Sequence, residues 1–170
     1  MTVLAERDKL RRITDQDLPQ LLQLNNGAVP AVNELDETAL KDLLAEAELA
    51  VVAARGEDLS GFLLAFGPGA SYQSSNYRWF DARFPDFLYI DRIVIAPQRR
   101  GRGIGRRLYE AAFAHAKVRP LCCEVNLRPP NERSLSFHRA LGFQQLAEEE
   151  SHDGKLVAML ATQPLPDRGR

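Results

Sequence analysis

The stretch Ile93–Ala116, IVIAPQRRGRGIGRRLYEAAFAHA, narrows the choice of fold more than any other part of the chain. A β-type apolar run stops at Pro97, and five arginines and three glycines then fall between Arg99 and Arg107. After them Ile104, Leu108, Ala111, Ala112 and His115 recur on one helical face. Strand, glycine-rich turn and helix therefore follow one another without a spacer. The first amides of a helix have no intrahelical acceptor, and the macrodipole places roughly half a positive charge there. Glycines at 101, 103 and 105 remove β-carbons that would hold a phosphate away from the backbone. Arg99, Arg100, Arg102, Arg106 and Arg107 add a positive field. A pyrophosphate is the natural guest of such an end.

The rest of the chain limits where that guest can belong. At 170 residues it is expected to form one domain over 1–163, with 164–170 as a loose polar tail. Its 22 basic and 23 acidic residues leave a net charge of −1, so the positive character of the loop is local. That balance argues against a nucleic-acid-binding module or a partner of anionic membranes. The opening MTVLAERDKLRR is charged too early for a secretory signal, and no apolar run approaches the ~20 residues of a membrane span. A cytoplasmic protein is expected. The only cysteines, Cys122 and Cys123, are adjacent and read as free thiols. With His115, His138 and His152 they lack zinc spacing, so no metal site is expected.

Hydrophobic patterning predicts the surrounding elements. KLRRIT reads as a first strand, Thr14 or Asp15 as the cap of a helix carrying Leu18, Leu21, Leu22 and Leu24, and a second helix starts near Asp36. LAVVAAR and SGFLLAFG read as an antiparallel pair joined across GEDL. Pro68 to Pro85 reads as irregular chain rich in Gly, Ser and aromatics. FLYIDRIVIAP and LCCEVN are strands, a helix runs from about Asn131 to Leu141, and GFQQLAEEE and KLVAMLAT close as two more strands. Strands and helices alternate in this order in an α/β or α+β sheet with helices on its faces. An exposed edge strand near the C-terminus is expected to be able to pair with a second copy, giving a homodimer.

Two pyrophosphate motifs can be set aside. GRGIGRR is not the G-x-x-x-x-G-K-[ST] loop of nucleoside triphosphate enzymes, and its third glycine comes one position early for a dinucleotide fold. VIAPQRRGRGIGRRL resembles instead the acyl-CoA motif Q/R-x-x-G-x-G/A of the GNAT superfamily of N-acetyltransferases, with Arg100, Gly103 and Gly105 in the pattern. NERSLSFHRALGF resembles the second motif of the same family at Asn131, Phe137, Gly142 and Phe143. The resemblance covers about Leu88 to Phe143. It implies a mixed, mostly antiparallel sheet of six to seven strands, splayed between the fourth and fifth, with about four helices on its faces. It implies acetyl-CoA as co-substrate and a primary amine as acceptor. The backbone of Ile93, Val94 and Ile95 would hold pantetheine. Amides of Arg100, Gly101, Arg102, Gly103, Ile104 and Gly105 would hold the pyrophosphate, and Asn131 and Phe137 would meet the cofactor.

Amine acetylation needs a deprotonated nucleophile, and an alkylamine with a pKa near ~10 is mostly charged at neutral pH. Asp91 on the fourth strand and Glu124 on the fifth are the candidate bases. Asp91 adjoins Arg92, but adjacent strand residues point apart, so a pair between them is not expected. His138 stands where many family members carry a tyrosine thought to protonate the departing thiolate; it reads either as that general acid or as a satisfied core histidine. Tyr77, Trp79 and Phe80 read as walls for a small amine or amino-acid-like acceptor, or as cover for the end of the sheet. The competing reading of the whole chain is an acyl-CoA-binding or sensing domain without turnover.

Overall fold

Strand β1 (Lys9–Arg12) is a short edge strand of sequence KLRR, and α1 (Leu18–Gly27) follows it. A computed structural model of the chain describes residues 6–151 and 153–167. Between β1 and α1, Thr14 starts a 3-10 turn, Asp15–Asp17. The Asp17 carboxylate accepts two 2.8 Å bonds from Arg11 and one from the Thr14 amide, and the Arg11 guanidinium holds its pKa below the usual range. Helix α2 (Glu37–Glu46) starts where Asp36 accepts from the Ala39 amide at 2.7 Å. Then come β2 (Leu49–Arg55) and β3 (Asp58–Phe66), antiparallel from Leu49↔Ala65 to Arg55↔Asp58. Their turn is only Gly56-Glu57, because Asp58 and Leu59 of the expected connection already pair.

Helix α3 (Ser75–Asp81) corrects the reading of Pro68 to Pro85 as irregular throughout. Ser74 caps it by accepting from the Tyr77 amide. Seven residues are too short to display helical periodicity, so only the cap marked it in the sequence. Strand β4 (Leu88–Ile95), α4 (Ile104–Ala116), β5 (Leu121–Arg128), α5 (Glu132–Ala140), β6 (Gln144–Glu150) and β7 (Leu156–Ala161) fall where the patterning put them. With α3, the α-helices number five among the described residues. Pro164–Asp167 carry no regular element, and 168–170, like His152, lie outside the described residues.

The seven-stranded sheet has the order β1-β2-β3-β4-β5-β7-β6. Its pairs are antiparallel at β1/β2, β2/β3, β5/β7 and β6/β7, and parallel at β4/β5. The parallel ladder has two residue pairs, Leu88↔Leu121 and Tyr89↔Cys122, although each strand has 8 residues. Edge strand β6 ends in Glu148, Glu149 and Glu150, a run of like charge that opposes pairing with a second copy.

By its contacts the chain divides into two units, Met1–Ala65 with Asp91–His115, and Phe66–Ile90 with Ala116–Arg170. The first unit has a core of Leu18, Leu21, Leu35, Leu40, Val52, Phe62, Leu64 and Val94. On α4, Ile104, Leu108, Tyr109 and Ala112 are buried, but His115 is exposed and lies 2.8 Å from Glu48. The second unit is built on aromatics: Phe66 stacks on Tyr72 at 4.5 Å, Tyr77 and Phe80 pack against the buried Tyr89 of β4, and Phe87 packs on Tyr77. Within the first unit Gly61 allows β3 to approach β4, since a β-carbon there would stand 2.7 Å from the Val94 carbonyl oxygen. Gly61→Val is expected to lower stability by about 1–3 kcal/mol, the usual cost of overpacking, read as a lower urea midpoint.

Candidate active site

The loop between β4 and α4 explains its glycines by backbone geometry. Gly101 and Gly103 have φ of 75° and 76°, in the left-handed region that disfavours any side chain, while the space over both is open. The Arg107 amide bonds to the Gly103 carbonyl at 3.1 Å and closes the first helical turn. The amides of Ile104, Gly105 and Arg106 therefore precede any intrahelical acceptor. Arg100, Arg102 and Arg106 are exposed around them. The Arg100 amide is engaged by the Pro97 carbonyl at 3.4 Å, which narrows the amides open to an anion to Gly101 and beyond. The first unit also holds a cavity of about 460 Å³ whose wall includes Leu24 of α1, Leu59 of β3, Val94 and Ile95 of β4, and Arg99 and Arg100. Three residues expected at one ligand, Val94, Ile95 and Arg100, thus share a surface.

Asp91 is not a solvent-facing carboxylate. Against the expectation that neighbours on a strand point apart, Arg92 Nε donates to Asp91 Oδ2 at 2.7 Å. The Cα–Cβ bonds do diverge, but the arginine side chain is long enough to return its Nε to the preceding residue. The rest of the guanidinium donates from Nη1 to Asn25 Oδ1 at 2.8 Å and from Nη2 to Asn33 Oδ1 at 2.9 Å. Both side chains are about 95% buried, at 4% and 5% exposure. Asp91, α1 and the segment after α1 are thereby tied to one buried cation. Arg92 carried no signal in the sequence beyond being a charge in an apolar strand.

In the second unit Glu124 projects from β5, half-buried beside the buried Cys123 and Val125, and pairs across the ladder with Met159. Tyr89 Oη donates to Glu124 Oε2 at 2.6 Å. Tyr89 is fully buried, and a buried phenol needs such a partner. Tyr77 and Phe80 are not acceptor walls: their exposures are 1% and 0%, and both pack against Tyr89. Tyr77 Oη donates to the Gly67 carbonyl at 2.6 Å and accepts from the Ala70 amide at 2.9 Å. Trp79 is half-exposed; its Nε1 donates to Glu149 at 2.8 Å and Arg83 lies 4.0 Å over its ring.

Asn131 caps α5 by accepting from the Ser134 amide at 3.3 Å through Oδ1. Phe137 is half-buried and edge-on to His138. His138 is 5% exposed, and its Nδ1 lies 2.7 Å from the Ser134 carbonyl oxygen. A carbonyl only accepts, so Nδ1 carries the proton of the neutral ring. Burial lowers the His138 pKa and the Ser134 carbonyl partly restores it. The imidazolium needed to protonate a thiolate is therefore scarce at neutral pH, and the core reading of His138 fits better than the acid reading. Cys122 and Cys123 are buried free thiols, and burial pushes the Cys122 pKa far up. Among the described residues no cluster of His, Cys, Asp or Glu is placed to hold a metal, and no helix is long and apolar enough to cross a membrane.

Residues 13–143 match the model of the acetyltransferase (GNAT) family. The ribosomal-protein-S18-alanine N-acetyltransferase of Escherichia coli superposes with a TM-score of 0.69 at 15% identity, over 96% of this chain and 99% of that one. NAA60 of Arabidopsis thaliana, crystallised with a bisubstrate analogue, gives 0.72 at 15% identity over 92% and 98%. The ribosomal-protein-alanine N-acetyltransferase of Brucella melitensis gives 0.69 at 20% identity over 90% and 98%. At these identities the likeness is one of fold. A comparison with curated proteins finds no match.

Removing Arg92 as Arg92→Met would strand the buried Asp91 carboxylate and is expected to cost about 3–5 kcal/mol, with part recovered by adding Asp91→Asn. Thermal midpoints of the single and double variants check this. For His138 the folded pKa lies below the unfolded value of 6.5. Acidification through that value protonates the unfolded chain first, so stability present at neutral pH is lost as pH falls toward the folded pKa. His138→Phe is expected to reduce the difference between urea midpoints measured at about pH 7.5 and about pH 5.5.

Proposed function

The chain belongs to the acetyltransferase (GNAT) family, and on that premise we propose that it moves an acetyl group from acetyl-CoA to a primary amine, the α-amino terminus of a polypeptide. The observation that carries the reading is the β4–α4 loop, where two left-handed glycines lead into the unbonded amides of a helix start amid five arginines. The amides of Gly101, Arg102, Gly103, Ile104 and Gly105 hold the pyrophosphate, with Arg100 contributing its guanidinium. Backbone groups of Ile93, Val94 and Ile95 hold pantetheine. Asn131 and Phe137 meet the same arm.

Glu124 accepts the proton of the attacking ammonium, directly or through water, and the neutral amine attacks the thioester carbonyl. A nitrogen–carbon bond forms, the carbon–sulfur bond breaks, and the electron pair leaves on sulfur. Solvent protonates the thiolate, because neutral His138 has its Nδ1 proton bonded to Ser134. Asp91 takes no proton in this scheme, since its buried carboxylate is engaged by the Arg92 guanidinium.

Two observations favour a polypeptide terminus over the small amine expected from the sequence. Two of the three aromatic walls are core residues, and only Trp79 remains at a surface. An α-amine, with a pKa near ~8, also asks less of a single carboxylate base than a lysine side chain near ~10.4. Two proteins of similar fold are named for acetylating alanine of ribosomal proteins. The engagement of Asp91 and His138 in structural bonds favours a second reading, an acyl-CoA-binding domain without turnover.

A thermal-shift titration with acetyl-CoA, CoA and NADH comes first, since a ligand of the native state raises the midpoint by mass action. Saturable shifts with both CoA compounds and none with NADH are expected; no CoA shift from folded protein would overturn the cofactor reading. Gly103→Glu, which sets bulk, negative charge and a disfavoured φ at the loop, is expected to abolish the acetyl-CoA shift. Thiol release with a panel of free-amino-terminal peptides and small amines then separates the acceptors. CoA binding with no turnover on any of them would support the second reading.

A further inference from the structure

We propose that Tyr89 is a positioning residue for Glu124, setting the orientation and charge of the base. The inference rests on the assignment of Glu124 as the proton acceptor. Tyr89 lies on β4 opposite Cys122 of β5, and Glu124 stands two positions further along β5, on the same face as Cys122. From there the phenol reaches the carboxylate, with Oη 2.6 Å from Oε2. Tyr89 is the donor of this bond and the Glu124 carboxylate the acceptor. Such a bond favours the ionised carboxylate, the form that can take a proton from an ammonium.

The phenol is itself held still. Tyr77 packs edge-on to it at 5.6 Å and Phe80 lies at 5.8 Å, and both belong to α3. Tyr77 is locked in turn by its bonds to Gly67 and Ala70. The aromatic segment that looked like a pocket wall is thus the brace behind the base. Removing the hydroxyl without changing the ring lets the carboxylate rotate and leaves the packing in place.

A double-mutant cycle on kcat, using the panel acceptor of highest turnover, tests this. Glu124→Gln is expected to lower kcat about a hundredfold or more, as loss of a general base does. Tyr89→Phe is expected to lower it roughly tenfold or more, the scale of a hydrogen bond to a charged group, with KM for acetyl-CoA unchanged. Because Tyr89 acts only through Glu124, the double variant should be no slower than Glu124→Gln alone. A 4-aminophenylalanine at position 89, which restores a donor on the same ring, should recover kcat, and it carries the test if Tyr89→Phe does not fold.

Full kcat in Tyr89→Phe, with Glu124→Gln impaired, would overturn the proposal and leave the base in place. Losses that multiply in the double variant would also overturn it, by showing that Tyr89 acts independently. Undiminished kcat in Glu124→Gln, or no turnover by the wild type on any acceptor, would remove the base assignment and this inference with it.

Discussion

The buried guanidinium of Arg92 is the constraint on which the first unit is built. Burying a cation costs several kcal/mol unless its donors are matched, and here Nε, Nη1 and Nη2 each have an oxygen within 2.9 Å. The partners come from β4 itself, from α1 and from the segment that follows α1. One charge therefore specifies where a helix and a connection stand relative to the strand that leads into the arginine-rich loop. The same bonds commit Asp91, attractive as a base by composition, to the guanidinium.

The second unit solves a different problem with aromatic rings. Tyr77, Phe80, Phe87 and Tyr89 bury large surfaces, and each buried hydroxyl finds a partner, Gly67 for Tyr77 and Glu124 for Tyr89. The result couples packing to chemistry: the carboxylate proposed as base sits at the end of a chain of immobilised rings. His138 shows the opposite outcome. Its ring is equally well packed, against Phe137 and Phe143, but its Nδ1 proton is spent on a backbone carbonyl and burial keeps it neutral.

The glycine–arginine loop needs neither packing nor pairing to be recognised. Left-handed φ at 101 and 103, a helix start at 104 and exposed guanidinium groups are all local properties of the chain. That is why one family motif could be read from consecutive residues, while the acceptor could not.

What the sequence determined by itself is therefore whatever depends on neighbours along the chain: the order and type of nearly every element, the glycine–arginine loop before α4, and the helix starts near Asp36 and Asn131. Even the missed α3 left a trace in the Ser74 cap, although seven residues are too few to reveal a period. The tertiary structure alone decided which charged and aromatic residues are committed. Tyr89 meets Glu124 from 35 positions away, and Arg92 meets Asn33 and Asn25 from 59 and 67. Such bonds depend on strand register and on helix placement, which are set by burying the whole core at once, and no short stretch of residues encodes them.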